Sequence, residues 1–160
     1  MIIIVTKDQA FIQYVLNQNT ASWGNIYVIP NNLSQNQATQ MITHLVGQLG
    51  MNEALCFVGH GNDIEMGGTG LGNDTWVWNR QALAAIIEQF IPNNWSYNLI
   101  LFQICCESVA NYSAGVAVDL GNLNKHDIWC FGYNKSILIS ATIPSVQQVT
   151  TNVALQGTIS

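Results

Sequence analysis

The chain has 160 residues, of which 49% are hydrophobic, enough to bury the core of one domain spanning 1–160. Charged residues make up only 8% of it, against about 25% in ordinary domains, and the net charge is −5 with four Lys and Arg in all. That balance leaves almost nothing to neutralise a phosphate backbone or an anionic bilayer, so neither nucleic acid nor a membrane surface is an expected partner.

Ile2 to Thr6 reads as a strand. It carries no basic leader and no small-residue cleavage site, and no later run approaches the roughly 18 apolar residues of a spanning helix. The expected location is the cytoplasm. Asp8 to Leu16 reads as a helix with Phe11, Ile12, Val15 and Leu16 on one face. Asn25 to Ile29 is a second strand, closed by Pro30. Ser34 is placed as the N-cap of a helix through Leu49, whose stripe is Met41, Ile42, Leu45 and Val46 and whose stop is Gly50. Ala54 to Val58 forms a third strand and ends in Gly59-His60-Gly61.

A glycine-rich loop is expected from Asn62 to Asp74, then a short extended piece at Trp76 to Trp78 and a helix from Asn79 to Phe90. The loop has no Lys-Ser/Thr ending and joins no strand directly to a helix, which argues against a nucleotide cradle. Leu99 to Ile104 is a fourth strand running into Cys105-Cys106-Glu107-Ser108, followed by a helix through about Leu120 and a fifth strand from Ile128 to Tyr133. Ser136 to Ala141 reads as extended and Ser145 to Leu155 as a last helix. Strand-helix alternation with nearly continuous apolar strands predicts an α/β fold: a three-layer sandwich around a mainly parallel sheet of five or six strands. In such sheets the functional site gathers at the carboxyl ends of the strands.

The cysteines do not form a disulfide framework. Cys56 and Cys130 lie in apolar runs, and Cys105 and Cys106 are adjacent, a pair that bridges only with strain. No two histidines stand at metal-ligand spacing, so neither a metal nor another cofactor is expected. His44, on a helix, and His126, in a turn, read as structural.

His60 is different. A histidine at the tip of a buried strand, between glycines, projects beyond the sheet, and the bare Gly61 N–H can approach a substrate carbonyl. A cysteine at the tip of the next strand, opening a helix, sits where the helix N-terminus favours a thiolate. Together they supply a nucleophile and a proton shuttle.

These residues resemble the caspase-like clan of cysteine peptidases, which includes caspases, legumains, metacaspases and the CHAT proteases. The resemblance is carried by Leu55-Cys56-Phe57-Val58-Gly59-His60-Gly61 and by Leu99 to Cys106, two apolar strands ending in His-Gly and in cysteine, with a helix between them. It implies the caspase-like sandwich and a cysteine endopeptidase acting on protein or peptide substrates. Aligned with the caspase pattern Gln-Ala-Cys, Gln103-Ile104-Cys105 makes Cys105 the nucleophile. Aligned with the legumain pattern Ala-Cys-Glu-Ser-Gly, Cys105-Cys106-Glu107-Ser108 makes it Cys106. The second places small residues on both sides of the thiol in a tight turn, and Cys106 is preferred on that ground. Val109 stands where the legumain pattern has glycine. The oxyanion donors are then Gly61 and Cys106.

Family members that cleave after basic residues use carboxylates, and Asp63, Glu65, Glu107 and Asp127 are the substrate-binding candidates; the segment Ile128 to Lys135 joins the pocket by the same resemblance. Two classes of function stay open: a working endopeptidase, and a catalytically silent caspase-fold interaction module that keeps the dyad. A protein partner or regulator is compatible with either, and no oligomeric state follows from the residues.

Overall fold

The computed structural model describes residues 1–67, 76–105 and 110–160. In chain order the elements are β1 (Ile2–Ile4), α1 (Gln9–Leu16), β2 (Ile26–Val28), α2 (Gln35–Gly47), β3 (Leu55–His60), β4 (Glu65–Met66), β5 (Trp78–Asn79), α3 (Arg80–Phe90), β6 (Leu99–Cys105), α4 (Ala110–Asn122), β7 (Trp129–Tyr133) and β8 (Leu155–Ile159). Six strands make one sheet in the order β2-β1-β3-β6-β7-β8; β4 and β5 form a separate antiparallel hairpin. Every neighbouring pair in the large sheet is parallel except β7 with β8.

The central strands are apolar apart from Gln103 in β6 and the Gly59-His60 end of β3, because both of their faces are covered. Ile3, Val5, Leu55, Phe57, Ile100, Phe102 and Ile104 point to one side, where α2, α3 and α4 bring Ile42, Leu45, Leu83, Ile87, Val116 and Leu120. Ile2, Ile4, Cys56, Val58, Leu101 and Cys105 point to the other, where α1 contributes Phe11, Ile12 and Val15. One helix cannot cover that face. Trp23 and the irregular stretch with Ile143, Val146 and Val149 complete the layer. This is the expected three-layer α/β sandwich, with a helical layer on one side and a mixed layer on the other.

Local chemistry sets the helix starts. Ser34 caps α2 through a reciprocal box with Gln37, and Asn79 caps α3 by accepting from the Ala82 N–H. α2 ends at Gly47, two residues short of the expected Leu49, with Gln48 as its C-cap.

The C-terminal stretch departs from expectation. Ser136 to Ala141 forms no strand, and Ser145 to Leu155 holds only a 3-10 turn at Val146–Gln148. Thr151 and Asn152 turn their side chains onto nearby backbone, the Thr151 hydroxyl to the Gln148 carbonyl and the Asn152 carbonyl oxygen to the Ala154 N–H. Such local bonds compete with a helix ladder. The last element is instead strand β8, whose Gly157 hides it in a sequence reading. Glycine is needed there because a Cβ would fall 2.5 Å from the Phe131 ring.

Among the described residues no helix is long and apolar enough to cross a membrane.

Candidate functional site

From β1 the chain runs to β2 on one side of the sheet, and from β3 it runs to β6 on the other. Such a reversal opens a crevice at the carboxyl ends of the strands, the usual place for a ligand in an open α/β sheet. Asp8 follows β1, and His60 and Cys105 end β3 and β6. All three therefore stand at that end of the sheet.

The register pairs His60 with Cys105 across β3 and β6. Paired residues on neighbouring parallel strands present their side chains to the same face. That face is the one covered by α1. Cys105 Sγ lies 3.0 Å from His60 Nδ1, and His60 Nε2 lies 2.9 Å from Asp8 Oδ2. The edge of the Phe11 ring meets the imidazole at a centroid separation of 5.3 Å and an interplanar angle of 74°, fixing its plane.

Asp8 holds two posts with its two oxygens. Oδ1 caps α1 by accepting from the Ala10 and Phe11 N–H groups at 3.0 and 3.2 Å, which leaves Oδ2 for the imidazole. Its own N–H donates to Thr6 Oγ1 at 3.1 Å. Partial burial pushes the Asp8 carboxyl upward, but the hydrogen bonds from His60, Phe11 and Ala10 outweigh it and hold the group below its ordinary value. An ionised carboxylate only accepts hydrogen bonds, so His60 Nε2 must carry a proton. Nδ1 is then the nitrogen placed to accept from the Cys105 thiol.

Backbone packing explains the glycines around the histidine. At Gly59 a Cβ would press on Val5 of β1 at 3.1 Å. At Gly61 it would fall 2.5 Å from the Glu65 carbonyl and 2.8 Å from Ile104 Cγ2. The chain doubles back there, with Gly67 N–H donating to His60 O and Asn62 N–H to Glu65 O, both at 3.0 Å. These two bonds flank Gly61 and do not use its N–H. The hairpin by itself therefore accounts for the glycine.

The other sequence candidates divide by position. Asp63 is exposed on the link from β3 to β4, and Glu65 is half-buried on β4; both belong to the His60 end of the sheet. Glu65 also reaches toward α4, where burial first and its charge second push the Tyr112 phenol up. Asp127 does not join them. It precedes β7, at the amino end of the strands, and its N–H bonds to Ser160. Cys106 and Glu107 lie outside the described residues, as do Ser108 and Val109 and most of the glycine-rich stretch. Cys105 is the last residue of β6, at the strand tip as expected. The expectation that the thiol opens a helix falls on the residues between it and Ala110, the first described residue of α4, and so lies outside the described residues.

Of the four basic residues, Arg80 pairs with Asp119 at 3.3 Å, and Lys7 sits 4.7 Å above the Trp76 ring. His44 is exposed and contacts Gln48, consistent with a structural place on α2. Among the described residues no cluster of His, Cys, Asp or Glu is arranged to hold a metal ion.

Asp8 is the site residue that the sequence reading missed. It was legible only as a helix start, because an aspartate before an amphipathic run is a common N-cap. Its place directly after the first strand was the available signal, since carboxyl ends are where sites assemble.

No known protein family, no curated protein and no solved structure matches this chain.

Proposed function

We propose that the protein is a cysteine endopeptidase in which Cys105 is the nucleophile, His60 the general base and acid, and Asp8 the group that orients the imidazole. The observation that carries the reading is the continuous chain of contacts from the Cys105 sulfur through both His60 nitrogens to the Asp8 carboxylate. The sequence preference was for Cys106; the thiol within reach of His60 among the described residues is Cys105. The resemblance to the caspase-like clan fits the order of histidine and cysteine along the chain, and the Asp8 contact adds a partner that the motifs did not include.

In the proposed reaction the Cys105 proton passes to His60 Nδ1 and the thiolate attacks the scissile carbonyl carbon. The imidazolium is held by Asp8 while negative charge builds on the carbonyl oxygen, for which the Gly61 N–H, with that of Cys106, is the proposed donor. His60 then gives its proton to the leaving amine as the C–N bond breaks. A water, deprotonated by His60, attacks the thioester, releases the carboxylate product and restores the thiol. Asp63 and Glu65, beside the histidine, are the proposed carboxylates for a basic residue on the acyl side of the scissile bond. The reduced state that this thiol needs fits a cytoplasmic location.

A second reading has its own support. Cys105 is 1% exposed and His60 6%, so both reacting atoms are covered, as they would be in a silent interaction module of the same fold. Turnover of a peptide library with Lys or Arg at the acyl position separates the two. Cleavage that disappears in both Cys105→Ala and His60→Ala supports the peptidase; cleavage by neither wild type nor variants, with folding intact, favours the module.

A further inference from the structure

The strap between β1 and α1 sends its side chains to opposite sides of the sheet. Val5 points to the layer of α2, α3 and α4, and Lys7, two residues on, continues on that side with its ammonium 4.7 Å above the Trp76 ring. Asp8 turns the other way, to His60 on the α1 side. The Trp76 ring is a firm anchor: it is fully buried, and its Nε1–H donates to the Leu33 carbonyl at 2.9 Å. Its backbone packs against Gly67, which has φ +125° and where a Cβ would collide with the Trp76 carbonyl. Gly67 in turn donates its N–H to the His60 carbonyl at 3.0 Å.

These contacts close a ring. It runs from His60 to Asp8 through the side chains, from Asp8 to Lys7 through one peptide bond, from Lys7 to Trp76 through the cation–π contact, and back through Gly67 to the His60 backbone. We infer that Lys7 is a positioning residue that acts through Asp8, setting the carboxylate against His60 from the opposite side of the sheet. The inference rests on the proposed role of Cys105, His60 and Asp8.

The test is the alkylation rate of Cys105 by iodoacetamide at neutral pH, with the modified residue assigned by fragment-ion mass spectrometry and folding followed by thermal melting. Lys7→Met should slow alkylation about three- to tenfold, the scale of one cation–π contact, and Lys7→Arg, which keeps a cation over the ring, should restore it to within about twofold of wild type. Asp8→Asn should slow it further, and adding Lys7→Met to that variant should cost nothing more, because Lys7 works through the carboxylate. An additive loss in the double variant, a failure of arginine to rescue, or an unchanged Lys7→Met rate beside a slowed Asp8→Asn would each overturn the inference while leaving the triad standing. An Asp8→Asn rate equal to wild type would overturn the triad and the inference together.

Discussion

The Asp8 carboxylate and the His60 imidazole meet at 2.9 Å although 52 positions separate them in the chain. The same carboxylate caps the helix that covers the imidazole. One side chain therefore holds both the imidazole and the element whose Phe11 packs on it, and its two duties can be separated by substitution.

Asp8→Asn keeps a good N-cap, because an amide oxygen accepts from the Ala10 and Phe11 N–H groups as a carboxylate does. The same amide cannot hold His60 in the required tautomer as an acceptor-only group does. Peptidase activity should fall on the order of 10²- to 10⁴-fold, while the melting temperature falls only by what the lost carboxylate charge contributed, the cap being kept. Asp8→Ala should lose the same activity and, in addition, about 1 kcal/mol of stability with the cap. Melting curves and steady-state rates on the two variants check this; equal stability losses would show that the cap is not where the difference lies.

The lowered Asp8 value fixes the sign of a pH effect. A carboxyl held lower in the folded than in the unfolded chain stabilises the fold above its unfolded value, about 3.9 for aspartate. That contribution is lost as pH falls through the lower, folded value. Wild type should therefore lose stability in acid more steeply than Asp8→Asn, and the two profiles should run parallel above about pH 5. Urea denaturation across the acid range measures the difference.

How much of this was legible beforehand depends on where each signal lives. The five strands of the large sheet up to Tyr133 (β1, β2, β3, β6 and β7) and the four helices follow from apolar runs and helix-start residues that a sequence states directly, whereas β4 lies within the stretch expected as a loop. Gly59-His60-Gly61 marked the candidate site from a few residues. β8 was not legible, because Gly157 interrupts its pattern and its purpose, room for the Phe131 ring, is a tertiary fact. Asp8 was hidden for a related reason: its partner lies on another strand, and a helix start was a sufficient local account of it. Asp127 was drawn toward the site by its charge, although the strand it precedes begins at the opposite end of the sheet.

Gly61→Ala probes the hairpin behind the histidine. The added methyl has the Glu65 carbonyl at 2.5 Å and Ile104 Cγ2 at 2.8 Å, so β4 must move away from β3. A destabilisation of about 1 to 3 kcal/mol is expected, with a loss of peptidase activity beyond it as the hairpin shifts. Activity equal to wild type in the fraction that remains folded would remove Gly61 from the site.

The most direct measurement is which cysteine of the native protein reacts with a peptidyl acyloxymethyl ketone, read by mass spectrometry. Cys56 and Cys130 are fully buried, and burial pushes both thiols up to about 12, so they should react only after unfolding. The account predicts one thioether, on Cys105, that is lost in His60→Ala and strongly slowed in Asp8→Asn. Labelling of Cys106 with Cys105 untouched, or labelling of Cys105 that survives the loss of His60, would contradict it.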